Sequence, residues 1–206
     1  MKVVLATRNI NKAGEILRIL AESGIEFKTL TDFAGAPDVD EDGATLEENA
    51  VKKARSAAVF TGLPALADDT GLEVDALGGA PGVFSARYAG PGCSYGDNNK
   101  KLLAALAGLP AAKRSARFRC VMALVYPDGR SITAQGQLEG FISRGARGKD
   151  GFGYDPIFEV NALGKTLAEL APEEKNSVSH RALALCAMLK LLKAITAQAG
   201  GLKAKG

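Results

Sequence analysis

Two consecutive carboxylates, Asp68 and Asp69, close an apolar approach over residues 63–67 and are followed at once by Thr70 and a turn-forming Gly71. An apolar strand that stops on a charged pair leaves the core there, and clefts at strand tips are where α/β proteins bind ligands. Downstream, Gly78, Gly79 and Gly82 let backbone pass close to a ligand, and Arg87 offers a planar fork suited to phosphate or carboxylate. Acids, close backbone and a base together point to a metal-dependent phosphate site. An acidic turn with no ligand has the same local sequence, so this stretch gains weight only from the rest of the chain.

Three further stretches carry candidate chemistry. Thr7-Arg8-Asn9-Ile10-Asn11-Lys12 lies between a valine-rich run and a helical pattern. There, orphan N–H groups and the positive end of the helix dipole favour an anion. Asn9 or Asn11 acting only as a helix cap is the alternative. The stretch is not G-x-x-x-x-G-K-S/T, and no G-x-G-x-x-G occurs. Phe152 stands between Gly151 and Gly153, ahead of Tyr154 and Asp155. It is placed either to stack on a flat ligand or to anchor its loop. The acidic loop Asp38-Val39-Asp40-Glu41-Asp42-Gly43 invites calcium, but Asn49 stands where the twelfth-position glutamate should close the site. A solvated loop, or one acid reaching a magnesium ion, remains. His180, the one histidine, opens the last helix, where the dipole favours a neutral imidazole making a specific hydrogen bond.

The elements that must hold these groups follow from periodicity. Residues 1–6 read as a strand, residues 11–23 as a helix stopping at Gly24, and residues 25–30 as a second strand. Thr45 and Glu48 form a capping box for a helix to about Phe60 with Gly62 behind it, which brings Asn49 and Lys52 toward the cleft. Another helix is expected within 94–108, with Leu102, Leu103 and Leu106 inward. Strands over 117–126 and 130–142 flank the turn Pro127-Asp128-Gly129. Thr166 and Glu169 cap a short helix that Pro172 breaks. The last helix runs from His180 to about Gln198, with Leu185, Met188, Leu189, Leu192 and Ile195 as its buried stripe. Residues 1–199 read as one domain and 200–206 as a frayed tail.

Composition narrows the function classes. At 206 residues, 47% hydrophobic and 24% charged, the chain has ordinary globular usage, and its apolar runs are too short to span a membrane. The N-terminus lacks a signal-peptide pattern, which sets a cytoplasmic expectation. Cys93, Cys120 and Cys186 are odd in number and widely spaced, so they read as free, mostly buried thiols. A net charge of +3 is small for binding polymeric nucleic acid.

Taken together the motifs resemble a family. Thr7-x-Asn9-x-x-Lys12, the loop with Glu41, Ala67-Asp68-Asp69-Thr70-Gly71-Leu72, Gly78-Gly79-Ala80-Pro81-Gly82 with Ser85-Ala86-Arg87-Tyr88, Gly151-Phe152-Gly153-Tyr154-Asp155-Pro156, and Lys175 with Ser179-His180-Arg181 occur in order. The chain resembles the non-canonical purine nucleoside triphosphate pyrophosphatases, the inosine triphosphatase family, from Met1 to about Leu192. Thr70 stands where many members have serine, and Arg8 adds a charge at a variable position. The resemblance implies an α/β fold with an elongated mixed β-sheet and flanking helices forming two lobes around a central substrate cleft, in a homodimer. It implies hydrolysis of ITP, dITP or XTP to the monophosphate and pyrophosphate with Mg2+. Asp69 would be the proton acceptor and a metal ligand, with Glu41 and Asp68 helping to hold the ion. Thr7, Arg8, Asn9, Ile10, Asn11, Lys12 and Lys175 would hold the triphosphate. Phe152 would stack on the purine, while Asp155, His180 and Arg181 read its edge, and Thr70, Gly153 and Tyr154 would also be substrate-binding residues. The 6-carbonyl donor is assigned to the His180-Arg181 step. Rival readings are a phosphatase that removes only the terminal phosphate and a nucleotide-binding regulator without turnover.

Overall fold

The computed structural model describes residues 1–203, with side chains described through residue 194. The valine-rich start forms β1 (Lys2–Leu5), whose last three residues are buried. It pairs in parallel with β2 (Glu26–Thr29) on one side and β3 (Ala65–Val74) on the other. Parallel neighbours need crossover connections. Helix α1 (Ile10–Ile19) joins β1 to β2, and α2 (Leu46–Thr61) precedes β3. The capping box expected at Thr45 is half realised: the hydroxyl accepts from Glu48 N–H, while the Glu48 carboxylate accepts from Ala44 N–H.

The other half of the sheet is antiparallel. A short β4 (Pro81–Gly82) pairs with the outer end of β3, and the long hairpin of β5 (Ser115–Val125) and β6 (Ser131–Ile142) follows, with β7 (Phe158–Val160) and β8 (Lys165–Thr166) beyond it. The result is one mixed eight-stranded sheet in the order β2-β1-β3-β5-β6-β7-β8, with β4 on β3. The remaining helices are α3 (Tyr95–Ala105), α4 (Pro172–Val178) and α5 (His180–Lys203). None of the described helices is long and apolar enough to cross a membrane.

Side-chain alternation along the central strands sets the packing. Leu66, Cys120, Met122 and Leu124 meet Ile16 and Leu20 of α1 and Ala184, Leu185 and Met188 of α5. Ala65, Ala67, Val121, Ala123 and Val125 meet Ala50, Ala54, Ala57 and Ala58 of α2, and this all-small contact lets the helix sit close to the sheet. A third cluster, with Leu72, Phe118, Ile142 and Phe158, fills the antiparallel end beneath Leu102 and Leu106. Gly136 of β6 makes a close approach possible: a Cβ there would lie 2.3 Å from His180 O and Ala184 N, so the first turn of α5 rests directly on the strand.

Several sequence expectations are corrected. β3 does not end at Asp68 but pairs with β5 from Ala65↔Val125 to Val74↔Ala116, so the acid pair lies mid-strand. Gly71 is therefore no turn. It lets β4 approach, since a Cβ there would sit 2.7 Å from Gly82 O. Helix α1 ends at Ile19 with Leu20 as its cap, before Gly24. Pro172 opens α4, where its missing N–H is harmless, and Leu167–Glu169 makes only a single 3-10 turn before it. Helix α5 passes Gln198 and reaches Lys203, through most of the expected tail. The side chain of Ile195 and residues 204–206 lie outside the described residues. Of the cysteines, Cys120 is buried, Cys93 partly so, and Cys186 is exposed.

Candidate active site

A cavity of about 480 Å³ opens where the loop after β1, α2, the middle of β3 and the start of α5 meet. It is lined by Thr7, Arg8, Asn9, Lys12, Glu41, Asp69, Thr70, Phe152, Gly153, Tyr154, Asp155, Lys175, His180 and Arg181. Ile10 and Asn11 do not line it. Ile10 is 86% exposed, and Asn11 is a surface residue whose N–H is capped by Asn9 Oδ1. Asp68 is not among the lining residues but contacts three of them, Lys12, Thr70 and Arg181.

Successive strand residues face opposite ways, so the two acids have separate environments. Asp69 faces α2: its Oδ1 accepts from Lys53 Nζ at 2.8 Å and its Oδ2 from Asn49 Nδ2 at 3.3 Å. Asp68 faces α1 and α5: its Oδ2 meets Lys12 Nζ at 3.1 Å, Arg181 Nη2 at 3.2 Å and Thr70 Oγ1 at 3.1 Å. Its Oδ1 is buried with no partner among the described residues. Burial raises the pKa of each carboxyl, but with different outcomes. For Asp68 the combined pull of Lys12, Arg181 and Lys53 outweighs burial and holds the group well below the usual range. For Asp69 burial prevails over Lys53, and the pKa is raised. The two neighbouring carboxyls are thus pushed in opposite directions.

Lys53 and Glu15 are site residues that the sequence reading missed. Lys53 Nζ bridges Asp69 and Glu41 Oε1, the latter at 2.7 Å. Lys52, expected at the cleft, instead pairs with exposed Asp42. Lys52 and Lys53 stand three and four residues past Asn49, so helical spacing places both near its face and only the packing of α2 on β3 separates them. Glu15, buried on α1, accepts from Lys175 Nζ at 2.6 Å and pairs with Arg181 Nη1. Its three-residue spacing from Lys12, beside the apolar Ile16, was the corresponding clue.

The opposite wall is built on Phe152. The ammonium of Lys175 lies 4.9 Å from its ring centre and the Arg181 guanidinium 5.6 Å. Lys175 also donates to Asp155 Oδ2 at 2.5 Å, and that same oxygen accepts from Phe152 N–H at 2.8 Å. Asp155 thus holds the aromatic loop in place, and burial raises its pKa against the pull of Lys175. His180 stacks on Phe118 with centroids 4.5 Å apart. Burial, then Arg181 and Lys175, drive its pKa well below the ordinary value, so the imidazole is neutral as expected. The specific hydrogen bond expected of it is not made by Nδ1, which is buried with no partner among the described residues. Arg87 does not face a phosphate; it donates to Glu41 O at 2.8 Å and pins the acidic loop. Asn9 caps α1 through Asn11 N–H and Lys12 N–H and still lines the cavity, so the two readings of that loop coexist.

Glu41 and Asp69 already converge on a single ammonium, and magnesium takes one or two carboxylates with phosphate oxygens and water. These two residues fit. Asp68, on the other face of β3, does not join them, and no group of three or more acidic, His or Cys ligands occurs among the described residues.

Fold and site define a mixed α/β protein with a cleft lined by the acids Glu41 and Asp69, by lysines and by the aromatic ring of Phe152. The chain belongs to the Ham1 family, whose sequence model matches residues 3–191. It is 52% identical over 192 residues to a dITP/XTP pyrophosphatase of Desulforamulus reducens, covering 93% of this chain and 96% of that protein. A HAM1 protein from Coxiella burnetii superimposes with a TM-score of 0.86 at 46% identity, covering 94% of this chain and 99% of that one. The Ham1 protein of Staphylococcus aureus does so with a TM-score of 0.83 at 38% identity, over 94% and 99% of the two chains.

Proposed function

We propose that this protein hydrolyses the non-canonical purine nucleotides ITP, dITP and XTP to the monophosphate and pyrophosphate. One observation carries the reading: a buried carboxylate, Asp69, lies in the same cleft as the cations Lys12, Lys53 and Lys175 and the ring of Phe152. The relative named dITP/XTP pyrophosphatase supports the choice of substrate. Thr7, Lys12 and the start of α1 hold the triphosphate, and Phe152 stacks on the base. Asp69 takes the proton from the attacking water, and Lys53 and Asn49 fix its two oxygens. Glu41 and Asp69 would hold magnesium, which supplies charge neutralisation as the α-phosphorus is attacked. Asp68 anchors Lys12 and Arg181 from behind. The purine 6-carbonyl receives its hydrogen bond from the His180-Arg181 step. The Arg181 side chain is committed to Glu15, Asp68 and Thr70, and the N–H groups of Ala182 and Leu183 are taken by Ser179, which leaves the backbone N–H groups of His180 and Arg181 and the imidazole as the donors.

A site that hydrogen-bonds the 6-carbonyl leaves that donor unpaired against adenine, so kcat/KM for ITP should exceed that for ATP by about 10²–10⁴-fold. Steady-state rates with ITP, dITP, XTP and ATP check this, with magnesium present and with it removed by chelation. Turnover should vanish on chelation. Equal rates with ITP and ATP would rule out the substrate assignment, and full activity without a divalent ion would rule out the metal.

A further inference from the structure

Tyr95, the first residue of α3, has been given no role so far, yet it bridges the two ends of the cleft. Its ring centre lies 6.0 Å from that of Phe152, tilted by 42°. Its hydroxyl accepts a hydrogen bond from Asn9 Nδ2 at 3.1 Å, across 86 residues of sequence. The Asn9 amide has no freedom to reverse, because its Oδ1 caps α1 by accepting from Asn11 N–H and Lys12 N–H. The amide nitrogen must therefore point toward Tyr95, and the phenol oxygen is used as an acceptor. A phenol is both donor and acceptor, so its own proton remains to be given. The ring is 42% exposed and lines the cavity, so that proton can be given to a ligand.

What stands there follows from the ligand's own connectivity. If the triphosphate lies at the α1 end and the base on Phe152, as in the function proposed above, the group between them is the sugar. We infer that Tyr95 is the sugar-contacting residue of the site, with its ring against the furanose and its hydroxyl donating to a 2′- or 3′-hydroxyl oxygen. Asn9 is then a positioning residue, joining the helix that holds the phosphates to the phenol that reads the sugar.

The test compares ITP with 2′,3′-dideoxy-ITP, which lacks both hydroxyls, in the wild-type protein and in Tyr95→Phe, which keeps the ring. One hydrogen bond of this kind is worth roughly a three- to tenfold effect. The variant should therefore lower kcat/KM for ITP about three- to tenfold more than for the dideoxy substrate, and dITP then tells which hydroxyl is met. A variant in which both substrates fall by the same factor, or neither changes, overturns the inference, since a phenol that only steadies the Asn9 loop does not distinguish sugars. Wild-type protein that turns over neither substrate would overturn the functional reading itself, a result separate from either outcome of the variant.

Discussion

Asp69→Asn should lose about 10²–10⁴-fold in kcat with ITP while remaining folded, the usual effect of removing a general base. The amide is close to the carboxylate in size, keeps an oxygen for Lys53 and sits in a strand whose ladder with β5 does not depend on the side chain. It can neither accept the proton nor serve as an anionic metal ligand. The measurement is single-turnover hydrolysis, with thermal unfolding recorded alongside. A variant within about threefold of the wild-type rate would show that another group is the base. Asp68 is the weaker choice of base, because Lys12 and Arg181 hold it ionised and it faces away from the pair formed by Lys53 and Glu41. An acid held so strongly in its charged form is a poor acceptor of protons.

Arg181→Ala should be the most destabilising single change at the site, and here the structure alters what the sequence led one to expect. As an edge-reading residue, Arg181 would lower the ITP rate selectively and shrink the ratio of ITP to ATP turnover. Instead its side chain is 2% exposed and holds Asp68, Glu15 and Thr70 together. Truncation leaves two buried carboxylates short of a partner. Breaking a buried pair from one side costs about 3–5 kcal/mol. At about 2–4 °C per kcal/mol for a chain of this size, the melting temperature should fall by roughly 6–20 °C. Rates with ITP and ATP should fall together, because Lys12 and Lys175 both lose the network that orients them. A variant of near-wild-type stability whose ITP:ATP ratio alone collapses would return Arg181 to direct base reading.

The difference between these two residues shows where the sequence is informative. That Asp69, Lys12 and Phe152 would line one cavity was legible because each stands in a short segment with the marks of a binding loop, whereas Lys175 was reached only through the family resemblance. The β5–β6 hairpin was legible for the same local reason, alternation on both sides of Pro127-Asp128-Gly129. Asp68 and Asp69 looked like a strand tip because a charged pair inside a central strand is unfavourable on local grounds. The groups that make it tolerable, Lys12, Lys53 and Arg181, come from three different helices. Pairings such as Glu15 with Arg181, or Asn9 with Tyr95, depend on which helix faces cross the sheet, and no window of sequence contains them. Lys53 was only half legible, because helical spacing from Asn49 admits Lys52 and Lys53 alike and the choice is made by the packing of α2 against β3.

The identity of the bond that breaks is the central claim, and phosphorus NMR of a reaction with ITP, magnesium and the wild-type protein reads it directly. Cleavage between the α- and β-phosphates predicts resonances of IMP and pyrophosphate growing in equal amounts, with no IDP at any time. Accumulation of IDP and orthophosphate would contradict the account and assign the same acids and cations to removal of the terminal phosphate.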